Sequence, residues 1–279
     1  MIKTINISSG ETKNLYQYLS AAITPRPIAF VSTIDSKGNK NLSPFSFFNV
    51  FSINPPILVF SPVRRAKNNT SKHTLDNIYQ VKECVISLVT EEIVQQVSLS
   101  SCDFDAKTNE FEKAGFTEVK SDLVEPARIK ESPINFECKI NDIINLGQEG
   151  GAGSLVICEA LKIHINEKVL DKNEKIDPFK LNIVSRLGEN WYGKTTQDSL
   201  YKITKPISKI GMGIDNLPEE IKNSAILTGN ELAILASAEN IPFKKDFPHR
   251  LDKKLSEKHI LAKEFLSQDK VDDAWQILL

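Results

Sequence analysis

Long apolar runs are missing from this sequence, and no stretch approaches the roughly 20 residues a membrane-spanning helix needs. Cysteine is sparse. Cys84, Cys102, Cys138 and Cys158 lie far apart, with no CxxC and no Cys/His pairing, which argues against a disulfide scaffold and against a zinc ribbon. Charge of one sign is also missing: the formal net charge is -1, so there is no electrostatic reason to expect nucleic acid. The first residues, MIKTINISSGETKN, lack the apolar core of a signal peptide. The expectation from these absences is a protein with reduced thiols in the cytoplasm, off the membrane. Catalytic signatures are absent as well. There is no Gly-rich Rossmann fingerprint, no GxSxG, no HExxH and no Walker motif. Gly150-Gly151-Ala152-Gly153 lacks the following Lys-Ser/Thr and reads as a hairpin loop. No internal repeat or low-complexity tract occurs.

What is present begins between Ile23 and Asn77. Pro27 to Ile34 is rich in β-branched and aromatic residues and predicts a buried strand. Ser36-Lys37-Gly38-Asn39 supplies turn chemistry. Asn41 to Asn49 is crowded with hydroxyls and aromatics and reads as a polar loop. Asn54-Pro55-Pro56 punctuates, Ile57 to Phe60 predicts a second buried strand, and Arg64-Arg65 follows at once. Two core strands would then deliver a hydroxyl-rich loop and a cationic turn to one end of a sheet. Hydroxyls suit a polyol or phosphate, and the planar fork of Arg can bind two phosphate oxygens at once. Aromatics can wall a planar ligand.

Further along, short helices are expected near Leu15 to Leu19, with Asn14 as a cap, at Thr74 to Tyr79, Glu91 to Leu99, and Glu110 to Ala114 stopped by Gly115. Cys84 to Val89 predicts a strand. Ile134 to Ile140 alternates strictly, predicting a half-buried strand with Ile134, Phe136, Cys138 and Ile140 inward. Ile143 to Leu146 continues after a turn, and Leu155 to Ile165 is a long strand. Many short strands with no alternating βαβ pattern argue for a mainly β fold, a β-barrel with flanking helices. From about Tyr201 the chain turns helical. Lys205-Pro206 punctuates, Pro218-Glu219-Glu220 starts a helix, and Thr228-Gly229-Asn230-Glu231 has capping-box spacing. Residues 251 to 279 carry Leu255, Leu261, Phe265, Trp275 and Leu278 in a charged background, predicting one or two amphipathic helices.

The ordered set TPRP (Thr24 to Pro27), NLSPFSFFN (Asn41 to Asn49), NPP (Asn54 to Pro56), FSP-x-RR (Phe60 to Arg65) and KHTLDNI (Lys72 to Ile78) resembles the flavin reductase-like family, flavoredoxin-type members above all. Gly153 to Glu159, Ile176-Asp177-Pro178, Ser185 to Gly188 and Trp191-Tyr192-Gly193 extend the likeness to roughly residues 10 to 200, about one domain. The resemblance implies an FMN-binding split β-barrel over residues 1–200 and a helical C-terminal extension over 201–279. It implies a cofactor-binding set of Arg26, Ser32, Thr33, Asn41, Ser43, Pro44, Phe45, Ser46, Phe60, Ser61, Arg64, Arg65, Lys72, Thr74, Arg186 and Tyr192, with no catalytic side chain and no metal ligand. Arg186 and Tyr192 match a segment that, in relatives, approaches the flavin from a partner subunit, so a homodimer is expected.

Each assignment has a plainer alternative. Ser43, Ser46 and Asn41 can simply bond their own backbone. Arg64 and Arg65 can be a solvated turn; being adjacent, they point opposite ways, so only one is expected to reach a ligand directly. His73 stands where relatives often carry Asp and reads as a surface residue. Trp191 reads as a core anchor and His164 as a structural histidine. The function implied is an NAD(P)H-dependent flavin reductase, hydride passing to FMN and electrons to a flavin, a redox partner protein or a small oxidant. The alternatives are a flavoredoxin-like electron carrier and a binding protein acting through its tail. A pyridoxamine-phosphate-oxidase type shares the barrel architecture, but NLSPFSFFN and FSP-x-RR fit it poorly.

Overall fold

The computed structural model describes residues 1–7, 12–203, 210–247 and 253–279. The expected break at Lys205-Pro206 lies outside them. The chain divides into two compact units, Met1–Tyr201 and Lys202–Leu279.

The first unit is built on one seven-stranded antiparallel sheet: β1 (Ala29–Ile34), β2 (Lys40–Phe45), β3 (Phe48–Ile53), β4 (Pro56–Phe60), β5 (Glu83–Leu88), β8 (Ile134–Asn145) and β9 (Ser154–Ile165). Its spatial order is β2-β1-β5-β8-β9-β4-β3. The first and last strands of that order are consecutive in the chain, joined by Ser46 and Phe47 alone. The sheet must therefore curl until its two edges meet, yet β2 and β3 do not hydrogen-bond. The result is a split barrel.

Alternation along β1 explains its apolar run. Ala29 and Val31 join the barrel interior with Phe60, Ile86, Val156 and the three buried cysteines, Cys84, Cys138 and Cys158. Phe30 points the other way, into a second core with Leu42, Val97, Phe111 and Phe116. Both faces of β1 are thus covered, so a continuous rather than alternating pattern is what burial requires. Helix α2 (His73–Gln80) closes the interior by inserting Leu75 and Ile78. Helices α3 (Val94–Leu99) and α4 (Glu110–Ala114) cover the outer core, and α4 ends at Gly115 in the left-handed region, φ +71°. Smaller pieces complete the unit: α1 (Thr12–Ala22), the pairs β6 (Glu118–Val119)/β7 (Arg128–Ile129) and β10 (Val184–Arg186)/β11 (Tyr192–Lys194), and α5 (Pro178–Leu181).

Several expectations change. Asn41 to Asn49 is not a loop: β2 and β3 run through it, and only Ser46-Phe47 turns. Helix α1 begins at Thr12, so Asn14 lies inside it and is not its cap. Strand β8 buries Ile134, Cys138 and Ile140 and packs Phe136 on the core as expected, but it does not stop at Ile140. It runs to Asn145 through irregular registers, and both Asn135 and Glu137 are buried. Those polar residues fooled the alternation because their partners come from afar. Glu137 accepts from the Asp122 and Leu123 amides at 2.9 and 2.6 Å and meets His164 Nε2 at 2.6 Å. His164 is thus a structural partner. Trp191 is not a core anchor; it is 72% exposed, because its two-stranded hairpin leaves that face uncovered.

The second unit packs α6 (Glu219–Lys222), α7 (Gly229–Ala236), α8 (Leu255–Ser267) and α9 (Val271–Leu278) around Leu235, Ala262, Trp275 and Ile277. The predicted capping box is formed: the Thr228 amide donates to Glu231 Oε2 at 2.6 Å. Leu255, expected inside, is exposed.

Candidate functional site

Where β2 hands over to β3, a cleft of about 230 Å³ opens at the barrel mouth. Three neighbourhoods meet there. The β2 end and turn supply Asn41, Ser43, Pro44, Phe45, Ser46 and Phe47; the segment after β4 supplies Ser61, Val63 and Arg65; the entry to α2 supplies Lys72 and His73. Tyr16, the run Ser101 to Phe104, and Glu110 complete the lining. The turns are held together by backbone. The Ser61 amide donates to the Phe47 carbonyl at 2.8 Å, tying the exit of β4 to the β2–β3 turn. The Arg64 amide donates to the Ala152 carbonyl at 2.9 Å, so the hairpin loop between β8 and β9 props the cationic segment. That loop needs its glycines: a Cβ on Gly153 would sit 2.6 Å from Ser61 Oγ, and one on Gly150 3.0 Å from Ala66 Cα.

The two arginines part company. Arg64 turns away, donating from Nε to Asn69 Oδ1 at 2.7 Å and from Nη2 to the Asn69 carbonyl. Arg65 faces the cleft. Its Nε and Nη2 reach Asp103 Oδ1 at 3.0 and 2.8 Å, while Nη1 donates to the Ser71 carbonyl and to Thr70 Oγ1 at 3.3 Å. That pairing holds the Asp103 carboxyl below its usual range. Lys72 stands beside it. Burial, and then the charge of Arg65, push the Lys72 ammonium below its ordinary value, with Asp103 opposing. Among the described residues Lys72 has no ion pair, and neither Ser43 nor Ser61 spends its hydroxyl on the protein.

A hydrogen-bonded polar network forms one wall of the cleft. Glu110, 3% exposed, accepts from Asn41 Nδ2 at 2.9 Å and from the Leu42 amide at 3.0 Å. Asn41 Oδ1 in turn accepts from Thr74 Oγ1 at 2.5 Å. Burial pushes the Glu110 carboxyl up, against the pull of the Leu42 and Asn41 hydrogen bonds.

Of the sixteen residues singled out in the sequence, the cleft is lined by Asn41, Ser43, Pro44, Phe45, Ser46, Ser61, Arg65 and Lys72. Ser32, Thr33, Phe60 and Thr74 are buried and do not line it. Thr33 accepts from Asn77 Nδ2 at 3.2 Å, and Phe60 packs on Phe45 at 5.2 Å. Arg26, also buried, is a lock. Its guanidinium donates to the carbonyls of Ser20 and of Ile23 (2.9 Å), its Nε donates to Ser46 Oγ at 3.4 Å, and it lies 5.7 Å from the Phe47 ring centre. Arg186 pairs with Arg26 through backbone, and its guanidinium stacks 4.4 Å over Tyr192. His73, read as a surface residue, is half-buried in the cleft wall. Phe47, inside the NLSPFSFFN motif, lines the cleft as well. Tyr16, Asp103, Phe104 and Glu110 carried no local signal; they arrive by tertiary contact.

A second cluster, Asp122, Glu137 and His164, brings potential ligand atoms within 4.8 Å of one another. Lys162 at 2.5 Å from Asp122, and Arg128 at 3.6 Å from Glu137, already balance its charge, so it reads as an ion-pair network.

A split barrel with a hydroxyl-lined, cationic cleft at its mouth, set beside its structural neighbours, falls in a flavin-associated class of oxidoreductase folds. The comparisons place the chain within that class: residues 21–180 match the family described as flavin reductase like domain, and the chain belongs to it. A protein of Aquifex aeolicus is 36% identical over 196 residues, 70% of this chain and 96% of that one. Among solved structures, nitrilotriacetate monooxygenase component B from Bacillus cereus matches with TM-score 0.67 and 28% identity, over 73% of this chain and 99% of that one. The 2-nitrobenzoate 2-nitroreductase NbaA of Pseudomonas fluorescens matches with TM-score 0.66 and 28% identity, over 76% and 100%. Among the described residues, no helix is long and apolar enough to cross a membrane.

Proposed function

We propose that this protein is an FMN-binding oxidoreductase, an NAD(P)H-dependent flavin reductase that works in the cytoplasm as a homodimer. Residues 1–200 would be its FMN domain and 201–279 a helical extension. The observation that carries the reading is the set of polar groups left without protein partners in one cleft: the Lys72 ammonium and the Ser43 and Ser61 hydroxyls, beside Arg65. A half-buried cation without an anion is costly, and a phosphate relieves that cost. These residues therefore fit FMN.

In this reading Arg65 and Lys72 hold the phosphate, and Ser43, Ser46 and Ser61 orient the ribityl chain. Phe45, Phe47 and Tyr16 exclude water from the ring. Bound FMN would supply the redox chemistry, accepting hydride from NAD(P)H and passing electrons on. Arg26, outside the cleft, and Glu110, in its wall, hold the two ends of the hydroxyl-bearing segment. The cleft volume falls below the roughly 300–1,000 Å³ usual for ligand sites. That favours a second subunit completing it, and β3 offers the surface, with Val50, Phe51 and Ile53 exposed on an unpaired edge. The names of the relatives, a monooxygenase component and a nitroreductase, support a partner protein or a small oxidant as acceptor.

The test is a spectrum of the purified protein, as isolated and after added FMN, followed anaerobically with NADH and NADPH. Flavin uptake and prompt bleaching are expected. Uptake without bleaching would make the protein an electron carrier of the flavoredoxin type; no uptake would overturn the assignment.

A further inference from the structure

Arg65 is aimed by its own turn. Its amide donates to the Thr70 carbonyl at 2.9 Å, and its carbonyl accepts from the Asn69 amide at 2.9 Å. Nη1 is spent on the Ser71 carbonyl and, at 3.3 Å, on Thr70 Oγ1. The guanidinium is thus anchored from one side, leaving Nε and Nη2 as its forward donors. Both meet a single oxygen, Asp103 Oδ1, at 3.0 and 2.8 Å.

Asp103 is poorly suited to be a brace. Its side chain is 75% exposed, and among the described residues it makes no other side-chain hydrogen bond. Exposed pairs of this kind add little to stability. What distinguishes Asp103 is its place. It belongs to the Ser101 to Phe104 run that lines the cleft, opposite the cationic wall. The Arg65 hydrogen bonds first, then the charge of Arg65, with Lys72 and His73 adding, hold its carboxyl below the usual range. Three basic side chains therefore converge on one carboxylate, at the point where an incoming anion would gain most. A phosphate, with more oxygens and about two charges, competes for the same donors on better terms.

Resting on the flavin reading of the cleft, we propose that Asp103 is a built-in stand-in for the flavin phosphate, a carboxylate that holds the forward donors of Arg65 until FMN displaces it. The exchange costs the Arg65 pair and sets the released carboxylate near the phosphate. That cost falls on phosphorylated flavin alone, because riboflavin has no anion to place on Arg65. Asp103 thereby sets how strongly the cleft prefers FMN over riboflavin.

The full-length protein tests this, with FMN and riboflavin affinities read by flavin fluorescence. Asp103→Asn removes the competing charge at nearly constant size. It is expected to tighten FMN by about three- to fivefold and to raise the FMN-over-riboflavin preference by the same factor. Asp103→Glu keeps the charge and should stay within about twofold of the unaltered protein. Asp105→Asn removes an equal charge two residues away that makes no bond to Arg65, and should leave the preference within about twofold. Weaker FMN binding by Asp103→Asn would make Asp103 a brace for Arg65 and overturn the proposal. An unchanged preference in that variant, or an equal rise in Asp105→Asn or Asp103→Glu, would overturn it too. In each of these cases FMN still binds, so the flavin reading stands. If the unaltered protein takes up neither flavin, both fall together.

Discussion

Arg64 and Arg65 are chemically identical neighbours with opposite fates, because successive side chains on extended backbone diverge. Arg64 is spent on Asn69, whereas Arg65 faces the cleft. Arg65→Ala is expected to weaken FMN binding by about 10- to 100-fold, since a hydrogen bond to a charged group contributes roughly 1.5–3 kcal/mol. Arg64→Ala should leave it within about twofold; equal losses in titrations of the two variants would refute the division of roles. Lys72 adds a pH signature. Its pKa lies below the ordinary lysine value of 10.5, through burial first and Arg65 second. Its charge, and with it FMN affinity, is therefore lost as pH rises through that lowered value. Lys72→Arg keeps the charge and should abolish the alkaline fall. A fall that persists in that variant would show that another group titrates.

At the scale of elements, the join between α4 and β2 matters most, because β2 carries the hydroxyls. Glu110, the first residue of α4, faces two donors, the Leu42 amide and the Asn41 amide nitrogen. Glu110→Gln keeps one acceptor and turns an NH₂ group on the other donor. It should cost about 1–3 kcal/mol of unfolding free energy, the usual penalty for a buried unsatisfied group, read by denaturant midpoint. An unchanged midpoint would mean the network relaxes at no cost. The helix α4 and its glycine stop were legible in local sequence, since caps and φ > 0 positions are local matters. That Glu110 serves β2 was not legible, because the pairing spans 68 residues. Strand β8 teaches the same lesson. Its alternation predicted an exposed Glu137, but Asp122, Leu123 and His164 bury and satisfy it. For Glu137, burial raises the carboxyl pKa, but these hydrogen bonds outweigh it and hold the pKa low. Its contribution to stability is therefore present above the ordinary glutamate range and lost as pH falls through the lowered value.

For the barrel as a whole, closure explains both the cleft and the exposed edge. A two-residue link between the sheet's outermost strands brings them together without pairing them, and the gap is where a ligand and a second copy are proposed to meet. Phe51 is 69% exposed on β3. Phe51→Lys is expected to convert a dimer to monomers in light scattering and to weaken FMN binding with it. A dimer that survives the change would move the interface elsewhere.

Local chemistry in the chain was sufficient for β1, β4, β5, β8 and β9, for most helix ends, for the hydroxyl and arginine candidates, and for the family, since each depends on residue type and short spacing. Only the folded barrel decided which arginine faces the cleft, that the hydroxyl segment is strand and not loop, and that Tyr16, Asp103, Phe104 and Glu110 join the site. The physical reason is range. Hydrogen bonds along a turn are written in adjacent residues, whereas the burial of a charge and the meeting of two sheet edges depend on contacts the chain makes only after it closes.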